Sequence, residues 1–191
     1  MDWVYPITVF AHVAGAVLLG VAGGIEAVAL ARLRRAATPD EARSWLGQLV
    51  LPGRLGGLAM LAILASGIWM TVSVWGHAPW IASGFIGMVL MGALGGAVTG
   101  RWLKRVGPAV QQERGPALTP ELRARLASPV LDASLRLRAA LGVGVLALMA
   151  MKPTGGPAAA VLLAASAALG LAWAAGPLAA ARGKGAQAGG V

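Results

Sequence analysis

The chain has 191 residues, of which 58% are hydrophobic and only 12% are charged. Soluble domains have about a quarter of their residues charged, so this composition predicts an integral membrane protein. The chain contains no cysteine, which excludes disulfide bonds, thiolate metal sites and cysteine nucleophiles.

Apolar stretches of the length that a bilayer requires occur five times in the chain. A bilayer core needs about 20 apolar residues per helix. We predict spans at about 5–31, 55–75, 80–103, 135–151 and 158–181, which together form a single transmembrane helical bundle over residues 1–181. The Gly- and Ala-rich residues 182–191 are predicted to be a disordered tail. The predicted fold class is an all-α membrane protein.

The first span carries two polar residues, His12 and Glu26, in apolar surroundings. A neutral imidazole at His12 is a possible axial ligand for haem iron or chlorophyll magnesium, and a hydrogen-bonded packing role is the alternative. A charge at the depth of Glu26 needs a partner, so we predict a buried ion pair with Arg54 or Arg101. The two residues are separated by about 21 Å along the helix axis and therefore cannot share a site.

Small residues recur at every fourth position in the first and third spans. The six positions are Ala16, Gly20, Gly24, Gly92, Gly96 and Gly100. This spacing places small residues on one helix face, which lets two backbones approach closely. These small-residue ridges are predicted to serve either packing within the bundle or docking against another membrane protein.

The polar loops contain signals for short amphipathic helices. Thr38-Pro39-Asp40-Glu41 is typical of a helix start, in which Thr38 caps and Glu41 reaches back. The predicted helix runs towards Leu51, and Pro52-Gly53 breaks or kinks it. Thr119-Pro120-Glu121 repeats the start signal. The nearby stripe formed by Leu118, Leu122 and Leu126 favours a helix on the membrane surface.

Two further polar residues lie at the ends of predicted spans. His77 is in the short turn between the second and third spans, where it is a weaker candidate ligand than His12 or a solvated turn residue. Lys152 follows the fourth span and is predicted to anchor it at the interface. Two histidines without a nearby cysteine or carboxylate make a poor zinc or copper site, so no metal site is predicted.

The distribution of charge predicts an orientation. The formal net charge is +9, and of the 16 Lys and Arg residues all but Lys152 lie on one side of the predicted spans. By the positive-inside rule, the N-terminus faces outwards and the C-terminus and amphipathic helices face the cytoplasm. The heavy use of alanine and glycine is typical of a GC-rich bacterial genome, so we predict a multi-pass protein of the bacterial inner membrane. The location of the charges favours the lipid bilayer and not nucleic acid as partner.

Three short motifs resemble those of an uncharacterised family of bacterial predicted integral membrane proteins. They are Phe10-Ala11-His12-Val13, Leu51-Pro52-Gly53-Arg54-Leu55 with Ala65-Ser66-Gly67, and Met149-Ala150-Met151-Lys152-Pro153. More distantly, residues 5–153 look like the four-helix membrane protoporphyrinogen oxidases and copper-resistance D-type proteins. The distant resemblance implies that His12 matches a histidine implicated in haem binding and that Lys152-Pro153 matches a closing Lys-Pro pair.

Two functions stay open from the sequence. The first is a non-enzymatic membrane subunit that packs against and stabilises a larger respiratory or photosynthetic complex through its small-residue ridges. The alternative is a protein that binds b-type haem or (bacterio)chlorophyll through His12 and has a redox or tetrapyrrole-related role. No serine has a histidine and an acid within plausible reach, so no hydrolase is predicted.

Overall fold

The structure is a computed structural model that describes the backbone of residues 3–188 and the side chains of residues 3–176. All regular structure in residues 3–188 is helical. The helices are α1 (Val4–Leu33), α2 (Pro39–Gln48), α3 (Val50–Met70), α4 (Pro79–Leu94), α5 (Arg101–Gln112), α6 (Pro120–Leu126), α7 (Pro129–Met151) and α8 (Gly156–Ala188). Two π-helical segments, Thr71–Trp75 and Gly95–Gly100, continue α3 and α4.

Within the described residues, five helical stretches are long and apolar enough to cross a membrane, which confirms the predicted all-helical multi-pass class. They are Val4–Leu33, Pro39–Trp75, Pro79–Gln112, Pro120–Met151 and Gly156–Gly176. The helix α8 continues to Ala188, whereas the sequence predicts a disordered tail over 182–191. The high helix propensity of alanine favours this continuation. Residues 189–191 lie outside the described part of the chain.

The chain divides into two compact units. The first unit comprises Met1–Ala78 and Val106–Leu126, and the second comprises Pro79–Arg105 and Ala127–Val191. The predicted single bundle over residues 1–181 stays a prediction, because each unit is defined by its own internal packing.

In the first unit, α1 and α3 pack through small residues that allow a close approach. Gly15, Ala22 and Ala29 recur at seven-residue spacing on one face of α1 and are all buried. A methyl group added at Gly15 would lie 2.9 Å from Ile63 Cγ1 and 3.2 Å from the Ala59 carbonyl oxygen. These distances leave no room for a larger side chain at position 15.

The polar segments of the first unit form the predicted helix starts. The Thr38 hydroxyl accepts from the Glu41 N–H at 3.3 Å, and the Glu41 carboxylate accepts from the Ala37 N–H at 2.8 Å. The break before α3 falls at Leu49, just before the predicted Pro52-Gly53. Pro52 instead fits the first turn of α3, where a missing N–H costs little.

The leucine stripe of the second polar loop, formed by Leu118, Leu122 and Leu126, is buried in the protein, which differs from the predicted position on the membrane surface. Leu118 and Leu122 are each 5% exposed and Leu126 is 1% exposed. Protein atoms therefore cover these side chains, which were predicted to lie on the membrane surface.

In the second unit, glycines again mark the closest helix contacts. A methyl group added at Gly144 of α7 would overlap the Ser166 hydroxyl of α8. One added at Gly170 of α8 would lie 2.8 Å from Ala140 Cβ, and one at Gly87 of α4 would lie 2.6 Å from Val145 Cγ2. Shape complementarity at these glycines sets how α4, α7 and α8 pack.

Candidate functional site

His12 of α1 is held by the middle of α3. Its Nδ1 atom lies 3.1 Å from the Ile63 carbonyl oxygen and 3.0 Å from the Ser66 hydroxyl oxygen. The imidazole is half-buried and Ser66 is 7% exposed. The histidine is therefore anchored between two helices on its Nδ1 side.

These contacts fit the His12 tautomer that carries its proton on Nδ1. The Ile63 carbonyl oxygen only accepts hydrogen bonds, so Nδ1 must be the donor. The Ser66 hydroxyl donates to the Ala62 carbonyl at 2.5 Å, which leaves its oxygen lone pairs to accept from Nδ1. The lone pair of a neutral His12 is then on Nε2, the arrangement found where a backbone carbonyl orients a metal-binding histidine.

Gly67 lets the imidazole lie close to the α3 backbone. A methyl group added at Gly67 would lie 3.4 Å from His12 Cε1 and 3.7 Å from Nδ1. Ser66 and Gly67 thus act together, since one accepts from the ring and the other leaves space beside it. A Ser-Gly pair in the middle of an apolar span was the available sequence signal for this contact, although spacing alone did not link it to His12.

A second polar cluster lies in the second unit, where Arg138 of α7 meets the π-helical segment Gly95–Gly100. Arg138 donates from Nη2 to the Thr99 hydroxyl at 3.2 Å, and Thr99 is 8% exposed. A methyl group added at Gly95 would lie 3.3 Å from Arg138 Nη1. In the sequence, Arg138 is one of the 15 basic residues on one side of the predicted spans, and its contact with Thr99 was not predicted. The π-helical register was not visible in the sequence.

The other predicted site residues differ in how far they are exposed. Glu26 is half-buried on α1, while Arg54 and Arg101 are both exposed. The predicted ion pair between Glu26 and one of these arginines stays a prediction. His77 is exposed in the turn before α4. Among the residues with described side chains, no three His, Asp or Glu residues form a group that could hold a metal ion.

The small-residue ridge of α1 is distinct from the face that packs on α3. A methyl group added at Gly20 or Gly24 would meet no atom of the described residues within 4 Å. The ridge of Ala16, Gly20 and Gly24 lies about 160° around α1 from the buried face of Gly15, Ala22 and Ala29. At Gly96 in the third span, an added methyl group would likewise have no described atom within 4 Å, and at Gly100 the nearest is the Gly95 carbonyl oxygen at 3.9 Å. Gly92 is also exposed.

No protein-family model, curated protein or solved structure matches this chain. The resemblance to the family of predicted integral membrane proteins, and the distant one to the protoporphyrinogen oxidases and copper-resistance D-type proteins, therefore stay predictions.

Proposed function

We propose that the protein is a non-enzymatic integral membrane subunit that packs against and stabilises a larger membrane complex, respiratory or photosynthetic. The observation that carries this proposal is the ridge of Ala16, Gly20 and Gly24 on α1. A close-packing motif of this kind is used within each unit at Gly15, Gly87 and Gly144, where a neighbouring helix fills the space. At Gly20 and Gly24 no described residue does so.

The proposal follows from the forces that act between helices in a bilayer. Lipid tails are as apolar as leucine, so helices associate through close backbone approach and not through hydrophobic burial. A ridge without large side chains offers such an approach to a partner helix. The proposed orientation places the N-terminus outside and the C-terminus in the cytoplasm of a bacterial cell, because the basic residues gather in the loops of one side.

The orientation can be tested with single cysteines, since the natural chain has none. Arg114→Cys should react with a membrane-impermeant maleimide only in opened cells. His77→Cys should react in intact cells. Labelling of position 114 in intact cells would contradict the proposed orientation.

The subunit role can be tested by co-purification in mild detergent. We expect the natural chain to migrate on native gels with a larger complex and Gly20→Leu to migrate alone, because leucine overfills the ridge. The matched control is Gly57→Leu on α3, which is also exposed and has no described atom within 4 Å of an added methyl group. The natural chain migrating only as a free monomer, or Gly20→Leu retaining the complex, would contradict the proposal.

A second candidate function is favoured by the orientation of His12. The Nδ1–H group faces the Ile63 carbonyl, so the ring would offer Nε2 to the central metal of a b-type haem or (bacterio)chlorophyll. Such a group would supply electron transfer or light absorption. Ser66 would hold the ring in place, and Gly67 leaves space beside it.

The absorption spectrum of gently purified protein tests this second candidate. We expect a tetrapyrrole band that is lost in His12→Ala and kept in His77→Ala, since His77 is an exposed turn residue. A pigment-free natural chain, or an unchanged band in His12→Ala, would exclude ligation by His12.

A further inference from the structure

An apolar groove runs along the half of α1 that leads to its basic end. It has a volume of about 390 Å³ and is lined by Val21, Gly24, Ile25, Val28, Ala29 and Gln48. Val21 is 50% exposed and Val28 is 57% exposed, so the groove opens to the surroundings of the protein. Within a membrane-spanning helix, those surroundings include lipid chains.

The helical face that forms the groove ends in a cation. Val21 and Val28 are seven positions apart, which places them within about 20° of one face and about 10 Å apart along the axis. Arg32 lies within about 40° of Val28 and about 6 Å further along the axis. It belongs to the last turn of α1 and is exposed. An apolar channel is thus followed on the same face by a guanidinium group.

No acidic side chain of α1 opposes this cation at the groove. Glu26 is the single acidic residue of α1, and it lies about 160° around the helix from Val28. Gln48, at the end of α2, adds an amide that can donate a hydrogen bond to an ester or phosphate oxygen at the groove.

We propose that this groove is a binding site for one anionic phospholipid. One acyl chain lies along Val21, Ile25 and Val28, and the phosphate pairs with Arg32. Gly24 supplies the space for the chain, because a methyl group added there has no described atom within 4 Å. Basic pockets at the ends of membrane helices commonly bind anionic head groups. Here the apolar groove would also hold one acyl chain of the lipid in a fixed position on α1.

The lipid site shares Gly24 with the proposed docking ridge, whereas its other lining residues lie outside the ridge. The centre of the ridge at Gly20 lies about 80° around α1 from Val28. A partner helix on Ala16 and Gly20 therefore leaves the Val28 side of the groove open. Loss of the subunit role would leave the lipid proposal intact, and the two have different readouts.

The test is lipid retention by the full chain. The protein is reconstituted into vesicles of equal phosphatidylglycerol and phosphatidylcholine and extracted again in mild detergent, and the co-purifying phospholipid is counted by mass spectrometry. We expect about one retained phosphatidylglycerol per chain. Arg32→Gln should reduce the preference for phosphatidylglycerol over phosphatidylcholine about fivefold, as expected for one surface arginine. The charge-matched control Arg114→Gln, exposed in the loop after α5, should keep the preference.

A second variant tests the acyl-chain part of the site. Gly24→Leu should reduce retention of both lipids, because leucine fills the groove, whereas Gly57→Leu should retain as much lipid as the natural chain. An unchanged lipid ratio in Arg32→Gln, or full retention by Gly24→Leu, would overturn the proposal. Cross-linking of Val28→Cys to another protein would also overturn it, because a protein would then occupy the groove.

Discussion

Arg136 of α7 donates a hydrogen bond from Nη1 to the backbone carbonyl of Trp173 in α8 at 3.2 Å, and its guanidinium carbon lies 5.4 Å from the Trp173 ring centroid. Residue 177 is proline, which has no N–H to donate to the carbonyl four residues earlier. Arg136 therefore satisfies a helix carbonyl that the sequence of α8 leaves without its usual donor. Asp132 accepts from Arg136 Nη2 at 2.9 Å and orients the guanidinium group.

This relationship predicts an energetic coupling between positions 136 and 177. Arg136→Ala should destabilise the protein by about 2 kcal/mol, the range of a hydrogen bond to a charged group. In the Pro177→Ala background the new N–H can satisfy the Trp173 carbonyl, so the same change should cost about 1 kcal/mol less. Thermal unfolding in detergent of the four proteins measures the coupling. Additive effects would show that Arg136 acts on α8 only through its ring contact or its pairing with Asp132.

The two small-residue faces of α1 should respond differently to a larger side chain. Gly15→Leu should destabilise the first unit by about 3 kcal/mol, because the added atoms meet Ile63 and the Ala59 backbone. Gly20→Leu should change the stability of the isolated protein by less than about 0.5 kcal/mol, as for an open surface position. The unfolding temperature of each variant in detergent is the measurement. Equal losses for both would mean that position 20 packs as tightly as position 15.

The backbone conformation of Lys152 should lower the stability of the folded protein by a measurable amount. It ends α7 in the left-handed region, with φ of 45° and ψ of 56°, and its N–H donates to the Leu148 carbonyl at 2.9 Å. Glycine adopts this conformation without the steric penalty of a Cβ atom. Lys152→Gly should therefore be more stable than Lys152→Ala by about 1 kcal/mol. Both variants lose the same charge, so their difference reports the backbone alone, and an alanine variant of equal stability would argue against strain.

The tautomer of His12 is directly observable. The chain contains only two histidines, so His77→Gln leaves a single imidazole for ¹⁵N-histidine labelling. We expect nitrogen chemical shifts of the Nδ1–H tautomer, because the Ile63 carbonyl accepts from that atom. Ser66→Ala should keep the tautomer while lowering stability by about 1 kcal/mol, since one buried acceptor is lost. An Nε2–H signal would rule out the orientation proposed for metal ligation.

The all-helical class, the five helices able to span a membrane and the start of α2 followed from the sequence because their causes are local. Five apolar stretches have the length of a bilayer core, and the part of the chain that the structure describes contains five helices of that length and composition. Thr38 and Glu41 cap α2 as predicted, since a capping box needs only residues a few positions apart. The orientation in the membrane is also a prediction from local charge, and it awaits the labelling experiment.

The choice of packing faces and polar partners depended on tertiary structure. The spanning helices are apolar all round, so their periodicity does not distinguish a face towards protein from a face towards lipid. Gly15 and Gly20 are equally small in the sequence, yet only Gly15 meets a neighbouring helix, because Ile63 and Ala59 have the complementary shape there. His12 contacts Ser66, which is 54 positions away in the chain, because α1 and α3 pack side by side in opposite directions. Contacts between residues far apart in the chain depend on how two helices pack against each other. The sequence of one helix alone does not determine that packing.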